Sequence, residues 1–143
     1  MKDLLVMKFG GTSMGSAERI ASVAHICSEA HATRPVVVVV SAMSKVTDLL
    51  LDGLRRAEAG DEKGLEAVLA RLAERHRECC EGLLSGEKRD TTQEHLDTIL
   101  DEYARIAQGV LMLGERPPRS VDEAIAVGER LSATLIAAHL QQH

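Results

Sequence analysis

Residues 36–40 are five consecutive valines, introduced by Arg34-Pro35 and followed by Ser41-Ala42. β-Branched side chains lose rotamer freedom in a helix and fit a pleated surface, so the run reads as a strand. The residue before a proline avoids helical backbone, which sets the break at Arg34. A strand with no polar position is expected to be buried on both faces, as in a parallel sheet covered by helices. Parallel strands need a crossover connection, commonly a helix, so a helix should lie next to this run in sequence.

One does. Leu4 to Phe9 is a short apolar run interrupted by Lys8. After it, Ser13 or Ser16 can cap a helix whose apolar positions, Ile20, Val23, Ala24 and Cys27, recur at helical spacing. Residues 4–40 therefore read as one strand–helix–strand unit. Beyond Val40 the pattern is helical throughout. Thr47 or Asp48 is expected to cap a helix with Val46, Leu49, Leu50 and Leu54 on one face, closed by Gly60. Residues 62–84 and 92–113 carry further helical stripes, and Leu96 to Leu113 reads as a core or oligomer stripe. Gly114 to Pro118 is a break. Ser120 and Glu123 match a capping box that would open a last helix.

Two strands against about five helices are too few for a complete α/β sheet, and an all-valine strand wants neighbours on both edges. A domain whose remaining strands lie outside these 143 residues accounts for both facts. An oligomer contact over the bare edge would also cover it, so self-association is expected.

Composition excludes several classes. The net charge is −5, and Phe9 and Tyr103 are the aromatic residues, so neither a basic face nor a stacking platform for nucleic acid is expected. There is no 18-residue apolar run to span a membrane. Lys8 interrupts the first apolar run too early for a secretory signal, and a cytoplasmic location is the expectation. Cys27, Cys79 and Cys80 do not read as a disulfide framework. His76 precedes Cys79 by three residues, but no second cluster completes a zinc set, so buried thiols and no metal are expected.

Three segments carry chemistry. Lys8-Phe9-Gly10-Gly11-Thr12-Ser13-Met14-Gly15 leaves the first strand and runs into a helix. Glycines let backbone N–H groups approach a phosphate, and a helix N-terminus favours its charge. A lysine in an apolar strand is costly unless it serves a partner, and phosphoryl transfer depends mainly on positioning and charge neutralisation. The pattern is neither G-x-x-x-x-G-K-[ST] nor G-x-G-x-x-G, and a plain tight turn is the bland reading. Ser41-Ala42-Met43-Ser44-Lys45-Val46-Thr47-Asp48 leaves the valine strand at the same sheet end, where open parallel sheets bind ligands. Its hydroxyls suit a small polar substrate or simple helix capping; Lys45 reads as a helix-surface residue. Gly128-Glu129-Arg130-Leu131-Ser132 places a glycine inside the last helix, which suggests close approach by something. Glu129 could face a substrate amine or orient Lys8, or be a solvated carboxylate.

In order and spacing, Lys8-Phe9-Gly10-Gly11-Thr12-Ser13, Ser41-Ala42-Met43 with Thr47, and Gly128-Glu129 resemble the aspartate kinases of the amino acid kinase superfamily. The resemblance covers residues 1–143 as the N-terminal part of a kinase domain, with residues of about 46–113 as a helical insert. It implies a three-layer α/β/α sandwich with a mainly parallel sheet. It implies MgATP as phosphoryl donor, with Mg2+ held mainly through the phosphates, and the β-carboxylate of L-aspartate as acceptor. Lys8 would neutralise phosphate charge; Gly10, Gly11 and Ser13 would hold phosphate oxygens. Ser41 and Thr47 would contact aspartate, and Glu129 would meet its ammonium group or hold Lys8. Members of the family continue beyond this length into a substrate-binding arginine, the nucleotide pocket and regulatory ACT domains, so the isolated chain is expected to be inactive. A different amino acid kinase, or a non-catalytic module on the same fold, are the alternatives.

Overall fold

A computed structural model describes residues 2–143. The valine run pairs with the first apolar run: β1 (Leu5–Phe9) and β2 (Val36–Val40) are parallel, in register from Leu5–Val36 to Phe9–Val40. The crossover is α1 (Ala17–His31), capped by the Ser16 hydroxyl, which accepts from the Arg19 N–H at 3.2 Å. Four helices follow: α2 (Val46–Glu58), α3 (Glu62–Leu83), α4 (Gly86–Leu113) and α5 (Pro118–Gln142).

The sheet is covered on one face. Helices α1 and α5 contact β2, and Met7, Phe9, Val38 and Val40 point into the core. The other face carries Val6, Val37 and Val39, which are 60%, 45% and 44% exposed, together with exposed Lys8. The expectation that β2 is buried on both faces is therefore wrong for the described residues. Five identical side chains conceal the alternation that would have marked one face as open. Lys8 likewise incurs little desolvation here, because it lies on the uncovered face.

Helix boundaries correct three further expectations. Neither Thr47 nor Asp48 caps α2. The helix starts at Val46, whose N–H donates to Met43 O at 3.0 Å, and its cap is Lys45 in the left-handed region at φ 68°. Lys45 is thus a turn residue, not a helix-surface one. Val46 is fully buried, and its packing places the cap two or three residues upstream of the expected Thr47 or Asp48. Ser120 and Glu123 do not open α5 either. Pro117 is extended, as a residue before proline prefers, and Pro118 supplies a preset first helical residue. Glu123 instead accepts from Arg119 Nε at 3.2 Å. Helix α4 begins at Gly86, before any apolar periodicity, and its start is tied to the end of α5. Gln142 accepts from the Ser85 N–H at 3.2 Å and donates to Ser85 O at 3.1 Å. The helix ends at Gly114 with φ 68°, as the break predicted.

The stripe on α4 is core for most of its length: Leu96, Leu100, Tyr103, Ala107 and Val110 are buried, whereas Met112 and Leu113 are exposed. Cys27, Cys79 and Cys80 are all buried free thiols, and burial pushes Cys79 up to about 12, so it stays protonated.

His76 is fully buried on α3. Its Nδ1 lies 2.7 Å from Leu72 O and must hold the proton, since a carbonyl only accepts. That leaves Nε2 without a partner among the described residues. Burial holds its pKa below the ordinary histidine value despite the Leu72 bond, with Arg75 adding to the depression. The unfolded chain therefore binds this proton more readily. His76 should favour folding fully above the unfolded value of about 6.5, and that contribution should be lost as pH falls toward the lower folded value. Denaturant midpoints between pH 7 and pH 5 should fall more steeply for the wild type than for His76→Leu; parallel curves would refute this.

Candidate phosphate and substrate site

Two loops leave the sheet at the carboxyl ends of β1 and β2 and pack on each other. The Ser41 N–H donates to Phe9 O, on the last residue of β1, at 3.0 Å, extending the ladder one residue past β2. The β1–α1 loop then turns tightly: the Met14 N–H donates to Gly11 O at 3.1 Å and the Gly15 N–H to Thr12 O at 3.3 Å. Met14 is fully buried and anchors the loop, while Arg19 Nη1 donates to Thr12 O at 2.8 Å.

The two lead glycines have different reasons to be glycine. A Cβ on Gly11 would lie 3.2 Å from Ala42 O, so that residue is where the loops touch. A Cβ on Gly10 would meet nothing within 4 Å, and Gly10 does not have a positive φ. Nothing inside the described chain requires a glycine at position 10, which is consistent with the expected approach of a phosphate to this loop. Gly10→Ala should keep or raise stability by about 0.5 kcal/mol, because it restricts the unfolded chain. In the full-length protein it should still raise KM for the phosphate donor several-fold; unchanged donor kinetics would remove the argument.

Helix α5 presses on the second loop. A Cβ on Gly128 would stand 2.8 Å from Ala42 Cβ, 3.2 Å from Leu50 Cδ1 and 3.3 Å from Val46 Cγ1. The close approach expected at this glycine is real, and its partner is the chain's own β2–α2 loop and the start of α2. Next to it, Glu129 is exposed, and Arg130 binds both carboxylate oxygens of Glu102 on α4. Arg75 on α3 donates through Nη1 to Ser44 O.

The structure thus brings the Gly10-Gly11 loop, Ser41 and the Gly128–Ser132 turn of α5 to one end of the sheet. Ser13 is exposed on the first loop, and Thr47 is half-buried in the first turn of α2. Lys8 stands on β1 just before the glycines. It forms no ion pair with Glu129 among the described residues, so the two are not joined directly. A cavity of about 600 Å³ between α2 and α3 is lined by Ser44, Lys45, Asp48, Arg71 and Arg75, among others. None of Lys8, Gly10, Gly11, Ser13, Ser41, Thr47 and Glu129 lines it, so it lies beside the candidate site.

Sequence reasoning missed Arg75 and Ser132. Arg75 is 31 residues from its partner Ser44, and no spacing rule links them. Ser132 stood inside a quoted segment with no role assigned to it.

The family model for the amino acid kinase family matches residues 3–143. The chain belongs to the amino acid kinase family. Within it, the relatives it matches are aspartokinases. It is 35% identical over 133 residues to the chloroplastic bifunctional aspartokinase/homoserine dehydrogenase 1 of Arabidopsis thaliana, covering 93% of this chain and 14% of that protein. It is 34% identical over 139 residues to the chloroplastic aspartokinase 3 of the same plant, covering 96% of this chain and 24% of that one. In structure it is similar to E. coli aspartokinase III in complex with lysine and aspartate, with a TM-score of 0.84 at 23% identity over 99% of this chain and 29% of that chain. The aspartate and ADP complex of the same enzyme gives 0.83 at 23% identity over 98% and 29%. These two structures establish the fold: helix-rich, with a small parallel sheet. The chain therefore spans a seventh to under a third of the relatives it matches. No helix among the described residues is long and apolar enough to cross a membrane.

Proposed function

We propose that this chain is the N-terminal part of an aspartate kinase, which transfers the γ-phosphoryl of MgATP to the β-carboxylate of L-aspartate. The product is 4-phospho-L-aspartate, and the step opens lysine, threonine and methionine biosynthesis. The observation that carries the reading is the meeting of the Gly10-Gly11 loop, Ser41 and the Glu129 turn at one sheet end. An exposed cation before an open glycine suits a polyanion, and Lys8 would neutralise charge as the phosphoryl group moves. Gly10 and Gly11 would give backbone N–H groups to phosphate oxygens, and Ser13 its hydroxyl. Mg2+ would be held mainly by the phosphates of ATP. Ser41 and Thr47 would bind the aspartate, and the Glu129 carboxylate its ammonium group.

Residues 46–113 act here as a helical insert, and the further parts of the kinase domain and any ACT domains lie outside this chain. The isolated chain is accordingly proposed to be inactive. A cytoplasmic location and a homo-oligomer belong to the same proposal. The test is ATP-dependent acyl phosphate formation by the full-length protein, trapped as a hydroxamate with L-aspartate and L-glutamate as rival acceptors. Aspartate-selective product supports the reading. Product with glutamate alone, or with neither, overturns it.

A further inference from the structure

Ser132 is completely buried in the interior of α5, where serine is a poor helix former. Its Oγ lies 2.6 Å from the backbone oxygen of Ser41 and 3.2 Å from that of Glu129. A hydroxyl has one proton to give, and the shorter contact takes it, so Ser132 donates to Ser41 across 91 residues of chain. The longer one is a back-contact to the preceding turn of its own helix. Ser41 stands one residue past β2, where the ladder uses its N–H but no strand residue takes its carbonyl. The hydroxyl of Ser132 fills that place. It therefore sits between the backbones of two residues assigned above to the substrate, one from the sheet and one from a helix.

The neighbouring contacts bear on the same distance. Gly128 lets α5 approach Ala42 closely, and Arg75 holds Ser44 from α3. The loop is thus pressed by packing and held from other helices by two side-chain hydrogen bonds. Packing of Gly128 survives the loss of the Ser132 hydroxyl; the orientation of the Ser41 carbonyl does not.

We propose that Ser132 is a positioning residue: it sets the separation between Ser41 and Glu129, and through it the fit of the amino-acid acceptor, without touching the acceptor. This rests on the function proposed above. A displacement of about 1 Å at a reacting substrate can cost about 10²-fold, so a shift of a few tenths of an ångström should register.

In the full-length protein, Ser132→Ala should raise KM for aspartate about tenfold, the scale of one lost hydrogen bond, and leave KM for ATP within about twofold. Ser132→Thr, which keeps the hydroxyl, should recover most of the aspartate KM. A purely structural role would instead lower the thermal midpoint with aspartate KM unchanged, or raise both KM values alike; either result overturns the proposal. Wild-type protein that phosphorylates no aspartate overturns the function reading, and the acceptor role with it. The hydrogen bond itself is then still decided by the ¹³C resonance of the Ser41 carbonyl, which should move in Ser132→Ala and would sink the bridge if it did not.

Discussion

Lys8→Ala should lower kcat/KM of the full-length protein for aspartate-dependent turnover by about 10³-fold, on the scale of removing one preorganised charge from a phosphoryl-transfer site. The effect should fall on catalysis rather than folding. Lys8 is exposed on the uncovered sheet face and takes part in no ion pair among the described residues, so removing it should change stability by no more than about 0.5 kcal/mol. That separation makes the result readable: a folded, inactive variant assigns the charge a chemical role. Turnover within about tenfold of wild type, at equal stability, would remove Lys8 from the mechanism and shift attention to backbone donors of the glycine loop.

The second large effect reverses what helix propensity alone would suggest. Gly53 lies inside α2, where glycine costs about 1 kcal/mol relative to alanine, so Gly53→Ala looks stabilising from sequence. In the structure, a Cβ there would stand 2.1 Å from the Tyr103 hydroxyl oxygen, 3.1 Å from Val68 Cγ1 and 3.3 Å from Tyr103 Cζ. Tyr103 cannot step aside: it is fully buried, and its hydroxyl donates to Leu50 O at 2.7 Å. Overpacking of this kind costs about 1–3 kcal/mol, and breaking a buried hydrogen bond adds to it. The net expectation is a loss of about 2 kcal/mol, or a fall in Tm of roughly 8 °C for a domain of this size. Calorimetry on the variant checks it. An unchanged or raised Tm would mean that α4 can slide relative to α2.

The same pair of residues shows where sequence reasoning stops. Both helices were legible from their stripes, because the apolar period of a helix is a local property of the chain. That position 53 must be glycine because of an aromatic residue 50 positions later was not legible, since no local rule couples them. The Ser41–Ser132 and Ser44–Arg75 hydrogen bonds are of the same kind, spanning 91 and 31 residues. Gly128 is intermediate: a glycine inside a helix announces a close approach, and only the fold identifies Ala42 as its partner.

By itself the sequence determined the strand–helix–strand start, the helical run that follows, the loop glycines at the end of β1 and the family these imply. Those are properties of spacing and residue type, written within a few turns of chain. Tertiary structure alone decided which face of the valine strand is covered. It placed the start of α2 at Val46, with Lys45 in a left-handed turn, because packing of a fully buried valine outweighs the capping preference of Thr47 or Asp48. And it joined the residues proposed to hold the acceptor through one buried hydroxyl. Each of these depends on contacts between segments far apart in the chain, whose energies enter only once the chain has closed on itself.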